Sequence, residues 1–121
     1  MAFPSTYNIN YYRGDTYKFE ISPKTSDNEA FSLKDWSGIL TIATSRGPSP
    51  VFSVSTNVTK KDNGTPNPTT FICEISPTTG RQLEGGKQYV YDVQMTKGDE
   101  IYTLLTGTIF VTDDITGAGN G

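Results

Sequence analysis

Apolar and polar positions alternate with a period of two through most of this 121-residue chain. Successive side chains of a strand point to opposite faces, so such alternation predicts half-buried β-strands. Tyr7, Ile9 and Tyr11 alternate with Asn8 and Asn10, and Tyr17, Phe19 and Ile21 with Lys18 and Glu20. Arg13-Gly14-Asp15 separates these two runs, and Pro23, which cannot donate to a ladder, ends the second. Trp36, Gly38, Leu40 and Ile42 predict a third strand with Trp36 pointing inward. Phe52, Val54 and Val58 mark a fourth, and Phe71, Cys73 and Ile75 a fifth. Ser76-Pro77 then predicts one helical turn, with Ser76 as N-cap and Pro77 at the first helical position. Tyr89, Tyr91, Val93 and Met95 define a sixth strand, and Ile101 to Val111 a long last one.

About seven short strands at these spacings, with no helix of three turns, predict an all-β domain built as an immunoglobulin-like antiparallel β-sandwich. No linker or repeat divides residues 1–121, so one domain is expected, with a short flexible N-terminal arm and a Gly-rich C-terminal tail. Parity makes one geometric prediction. Odd-numbered residues point inward on both of the last two strands, and paired residues share a face. The connection between them should therefore have an odd length, such as Lys97-Gly98-Asp99, which excludes a two-residue turn.

Composition restricts the chemistry. Net charge is −3 with both signs scattered, so there is no basic stripe and nucleic acid is not an expected partner. No apolar run approaches the roughly 20 residues of a membrane span. MAFPSTYNIN lacks a basic region followed by an apolar stretch, so no signal peptide is expected. Histidine is absent, which excludes histidine-based triads and removes the commonest metal ligand. Cys73 is the one cysteine and shares parity with core positions, which favours a packed thiol over a nucleophile. Gly85-Gly86 lacks the following Lys-Ser/Thr of a phosphate loop. Asp99-Glu100 and Asp113-Asp114 could offer oxygen ligands to Ca²⁺ but sit where turns and chain ends use Asp for local hydrogen bonds. The expectation is no catalytic site, no cofactor and no metal. Arg13-Gly14-Asp15 spells a cell-adhesion tripeptide and is read as a strand connection; Asn57-Val58-Thr59 and Asn63-Gly64-Thr65 match the glycosylation pattern and are read as incidental.

The outward parity of the last strand is the unusual feature. Tyr102, Leu104 and Phe110 fall on it, with Val90 on the preceding strand. A cluster of apolar residues on one sheet face predicts a contact surface, unless a bulge shifts the parity or a loop covers the face. The tyrosine-rich start, with Phe3, Tyr7, Tyr11 and Tyr12, is a second candidate contact region.

A set of short motifs in order carries a family resemblance. Gly14-Asp15-Thr16-Tyr17 leads into Phe19-Glu20-Ile21; Phe31-Ser32-Leu33-Lys34-Asp35-Trp36 precedes Leu40-Thr41-Ile42. Tyr89-Val90-Tyr91-Asp92-Val93-Gln94, Leu105-Thr106-Gly107-Thr108-Ile109-Phe110-Val111 and Asp114-Ile115-Thr116 follow. In this order the chain resembles the immunoglobulin-like domains of tailed-phage virion proteins, notably the N-terminal domain of baseplate upper proteins. The resemblance implies a non-catalytic structural component of a phage particle, in tail, baseplate or neck. Such a component would be made in the host cytoplasm and contact other virion proteins in several copies. A capsid decoration protein is the alternative within that class. Outside it, a carbohydrate-binding module of the β-sandwich type would use Tyr12, Tyr102 and Phe110 to stack on a glycan.

Overall fold

The computed structural model describes residues 5–47 and 49–113. It is nearly all strand, and the all-β expectation holds. The strands are β1 (Ser5–Thr6), β2 (Ile9–Tyr12), β3 (Tyr17–Ile21), β4 (Ser37–Ala43), β5 (Ser53–Lys60), β6 (Phe71–Ile75), β7 (Gln88–Lys97) and β8 (Glu100–Thr112). The predicted helical turn is α1 (Pro77–Gly80). Its N-cap is Ser76, whose hydroxyl accepts from the Thr79 amide at 3.2 Å.

Hydrogen bonding runs through one mixed sheet in the order β1-β8-β7-β4-β5-β6-β3, with β2 also on β8. The sheet curls into a half-barrel. The bend lies at β5, which changes partner along its length. Ser53 to Val58 pair with β4, while Thr59 and Lys60 pair with β6. The β6–β3 wing thereby folds over the β8–β7–β4 part, and the core fills the space between. Phe19 of β3 meets Tyr91 of β7 edge-on, 6.4 Å between ring centroids. Trp36, Leu40 and Ile42 are buried as their parity predicts, and so are Phe71, Cys73 and Ile75.

Three features depart from the sequence expectation. First, the ladder is not purely antiparallel: β1 and β2 run parallel to β8. A parallel pair needs a long crossover, and here the residues between β2 and β8 supply it, bringing the first described strands beside the last. Second, the opening run is two strands. The Tyr7 carbonyl turns inward to accept the Tyr91 hydroxyl at 2.5 Å. The Asn8 side chain then takes over from the ladder, its Oδ1 accepting from the Thr108 amide and hydroxyl at 3.2 Å each. Gly107 lies opposite, where a Cβ would strike the Tyr7 carbonyl.

Third, the last hairpin closes with two residues, Gly98 and Asp99, between paired Lys97 and Glu100. Gly98 has φ 59°, the left-handed first position of a II′-type turn. The parity argument fails because β8 carries a bulge. Val93 pairs with Leu105, but the next residue, Gln94, pairs with Thr103. Leu104 is the extra residue, and every position of β8 before it changes face.

Candidate contact surfaces

The bulge redistributes the residues that parity had grouped. Leu104 is buried, 2% exposed, next to the equally inward Leu105. Tyr102 pairs with the inward Met95 and packs on Trp36, 5.7 Å between centroids. Its hydroxyl donates to Glu100 at 3.0 Å, which raises its pKa. Ile101 takes the outward place instead and is 61% exposed. Sequence reasoning missed Ile101, because nothing in a single strand's pattern announces where a bulge falls.

Val90 keeps its outward parity but is only partly exposed. The segment after β4 covers that region: Arg46 donates to the Gly107 carbonyl at 3.2 Å and, with Pro50, lines a depression over Val90 and Asp92. Partial burial raises the pKa of Asp92, and Arg46 opposes the shift.

Phe110 and Tyr12 remain outward and exposed. β2 and β8 are neighbours in the register Asn10↔Phe110 and Tyr12↔Thr112, so the two rings lie on one face, one diagonal step apart. The rest of the tyrosine-rich start divides. Tyr11 is buried, its hydroxyl donating to the Asp15 carbonyl at 2.7 Å. Phe3 lies outside the described residues. The expected Tyr12, Tyr102 and Phe110 trio is therefore split between the two faces of the sheet.

One concavity was not foreseen. The two ends of the curled sheet, β1 and β3, do not pair with each other, and a cleft of about 640 Å³ with an apolar floor and polar rim residues such as Ser5, Glu20 and Lys24 lies along this seam. Tyr7 and Phe19 flank it, Ile21 continues one wall, and Leu104 and Leu105 line it. One end is closed by Tyr7, whose ring lies 6.2 Å from Phe19 and whose hydroxyl is 3.0 Å from that of Tyr17. The segment after β3, including Pro23, Lys24, Thr25 and Asn28, completes the lining. The two strand walls looked ordinary in the sequence, and only the curl of the sheet sets them face to face.

The remaining candidates have local roles. Arg13 donates to the Leu83 carbonyl at 2.8 Å and the Arg81 carbonyl at 2.9 Å, and Gly14 has φ 90°. The Arg-Gly-Asp tripeptide is thus a tight turn tied to the segment after α1. Cys73 is fully buried, and desolvation pushes its pKa up to about 12, which keeps the thiol protonated at neutral pH. Among the described residues no group of three His, Cys, Asp or Glu side chains is placed to hold a metal ion. Asp99 sits in the β7–β8 turn, and Asp114 lies outside the described residues. No helix among the described residues is long and apolar enough to cross a membrane. No family model matches the chain, and no curated protein matches it.

Proposed function

We propose that this chain is a structural contact module of a tailed-phage particle, an immunoglobulin-like domain acting through protein–protein contacts and without catalysis. The reading rests on the ordered motifs from Gly14-Asp15-Thr16-Tyr17 to Leu105-Thr106-Gly107-Thr108-Ile109. The observation that carries it is the open seam: among the described residues, two strand edges without a ladder partner across a cleft that Tyr7, Phe19, Ile21, Leu104 and Leu105 line. Free edges and apolar concavities are the surfaces by which β domains recruit other chains. Tail, baseplate or neck is the proposed position, and capsid decoration is the alternative. Mass spectrometry of purified particles should find the chain in stoichiometric amount, and immunogold labelling should place it on the tail side rather than the head. Particles without the chain would sink the reading.

One observation favours a second reading. Tyr12 and Phe110 form an exposed aromatic pair on the outer face of the sheet, an arrangement on which a sugar ring can stack. A glycan array, with Tyr12→Ala and Phe110→Ala as controls, decides it; binding lost in both variants at unchanged stability would favour a carbohydrate-binding module.

A further inference from the structure

Strand β3 ends the sheet. Among the described residues, its backbone is hydrogen-bonded through the ladder to β6 alone. Its outward residues, Lys18 and Glu20, carry opposite charges and are exposed. Each is already paired within its own molecule: Lys18 with Glu74 at 3.8 Å, and Glu20 with Lys61 at 3.2 Å. Its inward residues, Tyr17, Phe19 and Ile21, are partly exposed, and Phe19 and Ile21 border the cleft.

We propose that the partner of this edge is a second copy of the same chain, with the two β3 strands pairing antiparallel about a two-fold axis through Phe19. Paired residues must share a face, so the permitted registers differ by steps of one residue in the position of the axis. An axis through Lys18 sets Lys18 against itself, and one through Glu20 sets Glu20 against itself. An axis through Tyr17 leaves both charges opposite uncharged residues, and one through Ile21 sets Lys18 against Lys24. The Phe19 axis alone places Lys18 opposite Glu20 of the second copy, twice. The outward face then carries an unbroken row of alternating sign: Glu74, Lys18, Glu20 of the second copy, Lys61 of the second copy. Opposite charges directly across a ladder stabilise it, and like charges oppose it. On the other face, Tyr17 of the second copy lies beside Ile21 and extends the apolar layer along the seam. An isologous contact of this kind needs no partner surface other than the one the chain already presents.

The inference stands apart from the virion reading. A monomeric chain found in phage particles would sink the pairing and leave that reading intact, and a dimer absent from particles would do the reverse. Sedimentation of the wild-type chain up to about 1 mM should show a concentration-dependent monomer–dimer equilibrium. Lys18→Glu and Glu20→Lys should each weaken self-association by roughly ten-fold or more, since each sets like charges opposite one another at two places. Mixed together, the two variants should associate with each other, because one then presents two carboxylates on this edge opposite two ammonium groups of the other. Both positions are exposed, so near-ultraviolet circular dichroism should show both variants folded. A wild-type chain that stays monomeric overturns the pairing. So does a dimer indifferent to both reversals, and a mixture that fails to associate overturns the Phe19 register.

Discussion

Three buried tyrosines show how single residues hold this fold. Tyr11, Tyr89 and Tyr91 bring large rings into the core, and each hydroxyl has a main-chain partner: the Asp15 carbonyl, the Glu84 amide and the Tyr7 carbonyl. A buried hydroxyl without a partner costs about 1–3 kcal/mol, so these bonds decide whether tyrosine is acceptable there. Tyr11 also explains a glycine. A Cβ on Gly80 would overlap the Tyr11 hydroxyl group, so α1 can pack on β2 only with glycine at that position. Gly80→Ala should therefore destabilise the domain by about 1–3 kcal/mol, as overpacking does. Urea unfolding checks this, and pairing the change with Tyr11→Phe should recover part of the loss. The tyrosines were legible in the sequence as core positions. Their partners were not, because each lies on a different loop or strand.

At the scale of elements, the β8 bulge has the largest consequence. It turns Leu104 into the core, brings Tyr102 onto Trp36 and lets a two-residue turn close the hairpin. Leu104→Ala should cost about 2–4 kcal/mol, the range for a buried leucine. Phe110→Ala, at a site 43% exposed, should cost less than about 1 kcal/mol. Chemical denaturation of the two variants separates the observed register from an unbulged one, in which both residues would lie on the outer face and cost alike. Alternation located β2 to β8, since each of these strands turns one face toward the core. It misassigned residues 101 to 104, because a bulge is set by pairing with β7 and leaves no mark on β8 alone.

For the whole molecule, pH reports on how the core is assembled. Burial pushes Cys73 from 9.0 up to about 12. Burial, with the hydrogen bond to Tyr7, raises Tyr17 from 10.0 to about 12. Tyr11 and Tyr91 are raised chiefly by burial. In each case the folded chain holds its proton more firmly than the unfolded chain. The associated stability is complete below the unfolded values of 9.0 to 10.0 and is lost as pH rises beyond them. The urea midpoint should stay level from neutral pH to about 8.5 and then fall steadily. Cys73→Ala should flatten the first part of that fall; an unchanged profile would mean that the thiol is not buried as described.

The sequence by itself determined the all-β class, the positions of β2 to β8, the inward faces of β4, β6 and β7, and the capped turn at Ser76. These follow from period-two burial and from local backbone chemistry, which act within a few residues. Tertiary structure alone decided the partner exchange at β5, the parallel docking of β1 and β2 on β8, and the bulge at Leu104. It also decided which apolar residues reach solvent. Each of these depends on which distant strand supplies the hydrogen bonds. The cleft between β1 and β3 belongs to the same class, since it exists only because the curled sheet stops short of closing.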